Sequence, residues 1–128
     1  MLIHGDCLNG IKTLTKETVD MVYLDPPFFT QKNQVSQDSN GTFYGFSDIW
    51  DSRQSYLSFI KERLLEMHRV LKSTGSIFLH CDTSSSHYIR MILDEVFGEN
   101  NFRSEITINY HSIKYNHFFL LQITELHV

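Results

Sequence analysis

The stretch Val19-Asp20-Met21-Val22-Tyr23-Leu24-Asp25-Pro26-Pro27-Phe28 decides the fold. Its first six residues are apolar apart from Asp20 and open on a β-branched side chain, which predicts a buried strand. The strand must stop at Asp25, because the prolines that follow offer no N–H to a ladder. Upstream, Met1 to His4 is a short apolar run that ends in Gly5-Asp6, with Leu8, Ile11 and Leu14 following at helical spacing. This predicts strand, turn and short helix. Downstream, Phe28 to Ile49 turns to Gln, Asn, Ser, Thr and Gly with Phe43, Tyr44 and Phe46 among them, a long loop of the kind that carries function.

Beyond the loop, Leu57, Ile60, Leu64, Met67 and Leu71 recur at steps of three and four and predict an amphipathic helix. Asp51 or Ser52 would cap it, and Gly75 would close it after Lys72. Ile77 to His80 reads as a buried strand. Thr83 to Ser86 offer N-caps for a second helix with apolar positions Ile89, Ile92, Leu93, Val96 and Phe97, ended by Gly98. A strand through Ile106 to Tyr110 follows. Strands alternating with helices predict an α/β fold with a mostly parallel sheet and right-handed crossovers.

The chain has 128 residues, 41% hydrophobic and 13% aromatic, enough for one domain with a real core. A net charge of -4 excludes a protein that coats DNA through general basicity, so any nucleic-acid contact must be local. The two cysteines, Cys7 and Cys81, lie far apart without CxxC spacing, which fits a reducing, cytoplasmic setting. No basic-then-apolar leader and no membrane-length apolar run is present, so neither secretion nor membrane insertion is expected. His80, Cys81 and Asp82 are metal-ligand types, but a strand sends them to alternate faces and no second ligand pair is spaced nearby, so no metal site is expected.

Asp25-Pro26-Pro27-Phe28 carries the chemistry, at the carboxyl end of a strand where open α/β sheets place ligand crevices. Proline fixes its own backbone and biases the residue before it to an extended one. The Asp25 carboxylate and Pro26 carbonyl then form a rigid ledge of acceptors. Such a ledge suits an NH₂ group whose flat ring stacks on Phe28, pointing to an aromatic amine as substrate. The same tripeptide also ends strands as a plain turn, Gly5-Asp6 also reads as a turn or cap, and the loop aromatics also read as a small satellite core.

The ordered set of Gly5-Asp6, Asp25-Pro26-Pro27-Phe28, an aromatic loop with Trp50, the long helix and Gly75-Ser76-Ile77-Phe78-Leu79-His80-Cys81-Asp82 resembles the amino-group DNA methyltransferases. Within that family it is similar to the permuted, adenine-specific and type III modification-like branch, a likeness strengthened by Leu93-Asp94-Glu95-Val96-Phe97-Gly98-Glu99-Asn100-Asn101-Phe102. The resemblance implies a partial Rossmann-like methyltransferase sheet with flanking helices, S-adenosylmethionine as methyl donor, and a base flipped out of double-stranded DNA. It assigns Asp25, Pro26, Pro27 and Phe28 to catalysis, Asp6 and Cys7 to the cofactor, and Phe43, Tyr44 and Phe46 to the substrate. Asp at the first motif position favours adenine over cytosine.

The family's Gly-rich FxGxG-type loop occurs nowhere in this sequence. Residues 1–110 therefore read as a partial catalytic domain and 111–128 as an atypical tail, the expected result of truncation or frameshift. The chain is expected to be an incomplete, inactive fragment that binds the cofactor weakly or not at all; the alternative is a non-enzymatic remnant or an accessory subunit. A complementing C-terminal chain or a restriction subunit is the expected partner. A faithful fragment would leave a gap beside the strand before Asp25 and expose sheet edges and apolar surface.

Overall fold

The computed structural model describes residues 2–108 and 118–124. Helix α1 (Cys7–Lys12) leads to strand β1 (Val19–Leu24), a hairpin of β2 (Lys32–Gln37) and β3 (Phe43–Asp48), and the long helix α2 (Arg53–Val70). Strand β4 (Leu71–Asp82), helix α3 (Ser86–Phe97), a 3₁₀ turn at Glu99–Asn101, β5 (Phe102–Ile108) and β6 (Phe118–Thr124) follow. The main sheet has the order β1-β4-β6-β5. β4 is parallel to β1, while β6 lies antiparallel between β4 and β5. Three strands thus share one direction and β6 alone is reversed, a partial Rossmann-like α/β sheet with flanking helices.

Apolar spacing explains the packing. Ser52 caps α2 by accepting from the Ser55 N–H, and Ser55 reciprocates to the Ser52 N–H, a capping box. The buried face of α2 includes Tyr56, Ile60, Leu64 and Met67, and it meets Ile77 and Leu79 of β4 and Ile89 and Leu93 of α3 in one core. Alternation along β4 buries Gly75, Ile77, Leu79 and Cys81 and turns His80 and Asp82 to the other side. Burial pushes the Cys81 thiol up to about 12, so it is an inert core group. Gly98 ends α3 at φ 87°, the left-handed backbone glycine tolerates best.

Four expectations are corrected. The described part of the predicted first strand, Leu2 to His4, forms no strand, since nothing among the described residues pairs with it and Leu2 remains 96% exposed. The long loop contains the β2–β3 hairpin, turned by Asp38, whose carboxylate accepts from the Asn40 and Thr42 N–H groups. That hairpin is mostly exposed on both faces, so it lacks the apolar alternation that betrays a half-buried strand. Helix α2 ends at Val70, before Gly75, because Leu71 is already buried and pairs with Val19. Gly75 instead serves close approach: a Cβ there would lie 2.7 Å from the Leu71 side chain. The last predicted strand begins earlier, at Phe102, and Asn109 and Tyr110 lie outside the described residues.

β1 is an edge strand, with no partner on its outer side among the described residues, and Met21 and Tyr23 are 62% and 58% exposed. The expected exposure of sheet edge and apolar surface is therefore found at this strand.

Gly75→Ala is expected to destabilise the fold by about 1–3 kcal/mol through overpacking against Leu71. Urea unfolding checks this; an unchanged midpoint would show that Leu71 can repack freely.

Candidate active site

β1 delivers Asp25 to the end of the sheet, and the residues after it are held from several sides. The His80 Nδ1 of β4 lies 3.2 Å from Asp25 Oδ1. The Tyr56 hydroxyl, from α2, donates to the Pro27 carbonyl at 2.8 Å, and the Ser84 hydroxyl donates to the Phe28 carbonyl at 3.2 Å. Asp48, at the end of β3, accepts from the Phe29 N–H at 3.1 Å and from the Thr30 N–H and hydroxyl, each at 2.7 Å. Its carboxylate also takes the Trp50 indole N–H at 2.9 Å. No donor among the described residues reaches the Pro26 carbonyl.

These ties explain a strained turn. Phe29 and Gln31 sit at φ 64° and 57°, a region that costs a side-chain-bearing residue about 1–2 kcal/mol. Asp48 offsets that cost by accepting from the Phe29 and Thr30 N–H groups. Asp48 is 1% exposed; burial alone would raise its carboxyl, but donors from Thr30, Trp50 and Phe29 outweigh this and hold it below the usual carboxylate range. Burial pushes the Tyr56 hydroxyl well above its ordinary value, so it stays a neutral donor.

A cavity of about 280 Å³ opens beside β1, lined by Cys7, Asp25, Pro26 and Pro27 together with Phe59 and Arg63 of α2. Asp6 borders it indirectly. Its Oδ1 caps α1 through the Leu8 and Asn9 N–H groups, and its Oδ2 receives Arg63 at 2.7 Å. The Arg63 guanidinium, then the Asn9 N–H, hold the Asp6 carboxyl below its ordinary value. Arg63 stacks 3.4 Å from the Phe59 ring centroid, and its buried Nε has no hydrogen-bond partner among the described residues.

The structure thus brings Asp25, Pro26, Pro27 and Cys7 to one cavity and ties Asp6 to its wall. Phe28 lies on the other side of the motif, edge-to-face with His80 at 5.4 Å. Phe43, Tyr44 and Phe46 do not line the cavity and are 69%, 58% and 55% exposed on β3. Strand alternation puts Tyr44 and Phe46 on one face of the hairpin and Phe43 on the other. They form no satellite core, whereas Trp50 packs on Tyr56 and Phe59. Sequence reasoning missed Asp48, Tyr56, Ser84 and Arg63, and weighed His80 only as a metal ligand. Asp48 and Tyr56 act across 18 to 29 residues of separation, which no local spacing reveals.

Comparison with known proteins shows the family. A profile of the DNA methylase family matches residues 19–125. The type II methyltransferase M.KpnI of Klebsiella pneumoniae is 31% identical over 101 residues, covering 79% of this chain and 24% of that protein. The DNA adenine methyltransferase YhdJ of Escherichia coli strain K12 is 30% identical over 111 residues, 87% of this chain and 33% of the relative. The StyLTI Mod subunit, a type III restriction-modification enzyme of Salmonella typhimurium, is 28% identical over 127 residues, 83% of this chain and 20% of its own length. The chain therefore spans from 20% to 33% of the length of these relatives.

Asp48→Ala strands the Phe29, Thr30 and Trp50 donors and is expected to cost about 3 kcal/mol in urea unfolding. Because the folded carboxyl lies below its unfolded value, its stabilisation is complete above about pH 4 and is lost as pH falls through the folded value. Urea midpoints measured down to about pH 2.5 should fall less steeply in the variant than in the wild type. Parallel acid profiles would remove Asp48 as the linked group.

Proposed function

Because the chain belongs to the DNA methylase family, we propose that it supplies the amino-acceptor half of a site-specific DNA methyltransferase that modifies an exocyclic amino group, adenine being favoured. The observation that carries the reading is the open pair of acceptors. Neighbouring groups of the motif are tied by Tyr56, Ser84 and Asp48, while the Pro26 carbonyl meets no donor among the described residues and the Asp25 side chain, with His80 at one oxygen, stays 61% exposed. A flipped base can place its NH₂ against both.

An exocyclic amino group is a poor nucleophile, because its lone pair is delocalised into the ring. Accepting both protons at Asp25 and Pro26 favours a tetrahedral nitrogen whose lone pair is free to attack. Phe28 offers a face for the ring, and the prolines keep the acceptors fixed as the nitrogen changes geometry. As the N–H bond of the methylated nitrogen breaks, Asp25 takes the proton. Asp25 is an acceptor and orienter here, never a covalent nucleophile. Phe43, Tyr44 and Phe46 would meet bases from the hairpin, since stacking tolerates any base.

S-adenosylmethionine supplies a methyl group already activated on a sulfonium. Asp6, Cys7 and Arg63 would border it, Cys7 and Arg63 from the cavity wall and Asp6 through its ion pair with Arg63. The 280 Å³ cavity lies below the usual size of a small-molecule pocket and suits only part of such a cofactor. Together with the missing Gly-rich loop, this supports weak or no cofactor binding by this chain alone and completion by a second segment or chain. No helix among the described residues is long and apolar enough to cross a membrane. A cytoplasmic restriction-modification system with double-stranded DNA as substrate is the setting that suits the reading. A remnant or accessory subunit without catalysis is the second reading, favoured by the same missing loop.

Methyl transfer from labelled S-adenosylmethionine to unmethylated DNA tests the proposal, using this chain alone and with the product of any adjacent downstream frame. Activity is expected only with the second product, and Asp25→Ala should reduce it by about 100-fold or more. Activity with neither would favour the remnant. In calorimetry the isolated chain should bind S-adenosylmethionine weakly or not at all; tight stoichiometric binding would overturn the two-part cofactor site.

A further inference from the structure

We propose that Arg53 binds a backbone phosphate of the DNA strand that presents the target base. This site lies beside the acceptor pair and rests on the DNA methylase reading given above. Arg63, Arg69 and Arg90 are each committed to a carboxylate, those of Asp6, Glu66 and Asp94. Arg53 meets no carboxylate among the described residues and is exposed. It is nevertheless fixed. Its Nη1 donates to the Tyr88 hydroxyl at 2.7 Å, and its guanidinium lies 4.5 Å from the Tyr88 ring centroid and 5.6 Å from that of Phe29.

Aromatic faces on a guanidinium hold its plane while leaving N–H donors at the rim, the fork that matches two phosphate oxygens. The hydrogen bond and the two rings restrict its rotamers, so less freedom remains to be lost on binding. The location is also specific. Phe29 directly follows Phe28, so Arg53 stands next to the motif that would receive the base.

Charge supplies the second argument. Asp25, Asp48 and Asp82 all sit at this end of the sheet, and among the described residues Asp48 and Asp82 keep their charge, met by uncharged donors of Phe29, Thr30 and Trp50 and of Ser84 and Ser85. In a chain of net charge -4, a polyanion approaching this end meets repulsion unless a fixed cation receives it. Arg53 is an arginine placed and oriented to do so.

The test is fluorescence anisotropy of labelled duplex DNA with the full chain, from about 20 to about 200 mM salt. Wild type is compared with Arg53→Ala, Arg53→Lys and Lys16→Ala. Lys16 is the charge control: it adjoins Glu17, whose N–H bonds the Arg69 carbonyl at the far end of α2. Arg53→Ala should weaken binding about 5- to 20-fold at low salt and lower the salt slope by about 0.9, equally for all sequences. Arg53→Lys should restore the slope but not the affinity, because an ammonium loses the fork and the stack. Lys16→Ala should leave the slope unchanged. An Arg53→Ala slope equal to wild type, an equal loss in Lys16→Ala, or no DNA binding by the wild-type chain would each overturn the phosphate site. The methyl-transfer assay judges the methylase reading separately, so the phosphate site can fail while that reading stands.

Discussion

Two prolines after Asp25 remove two backbone donors where β1 leaves the sheet, and the surrounding structure is built around that loss. A segment that cannot donate can be held only through its carbonyls and through the N–H groups beyond it. Tyr56 and Ser84 take the first task and Asp48 the second. Each holder comes from a different part of the chain, so α2, the turn between β4 and α3, and the hairpin are all referenced to the same tetrapeptide. The acceptors left over, at Asp25 and Pro26, are fixed by exclusion as much as by direct contact.

Asp48 extends this constraint to the hairpin. Gln31 donates its amide to the Trp50 carbonyl and accepts from the Trp50 N–H, so both ends of the hairpin are clasped beside the motif. Exposed aromatic groups on β3 are thereby carried on an arm with a rigid root. A flexible tether would pay ordering entropy whenever it met a ligand, and a clasped arm avoids much of that cost.

The same logic separates the two faces of the chain. Helices α2 and α3 share one core against β4, whereas Met21 and Tyr23 leave the outer part of β1 open. The cavity bounded by Cys7, Arg63 and the motif lies beside that open strand. Its wall already contains an ion pair, Arg63 with Asp6, that ties α1 to α2. Fold stability and ligand contact thus draw on the same two side chains.

Much of the framework was legible in the sequence because its signals are local. The Ser52 cap, the apolar stripe from Leu57 to Met67, the Gly98 stop and the break at Asp25-Pro26 depend on residues within a few positions of each other. The hairpin was not legible, since with both faces largely exposed it has no apolar alternation. Gly75 misled for a related reason: a glycine that admits Leu71 looks the same in sequence as one that ends a helix. The ordered motifs by themselves pointed to the family, to Asp25 through Phe28, and to Asp6. Only tertiary structure decided that β6 runs reversed between β4 and β5, that Asp48 and Tyr56 hold the motif, and that Arg53 is held by Tyr88 and Phe29 beside it. Those outcomes rest on hydrogen bonds and stacking between residues far apart in the chain, and such contacts exist only after the sheet and helices have assembled.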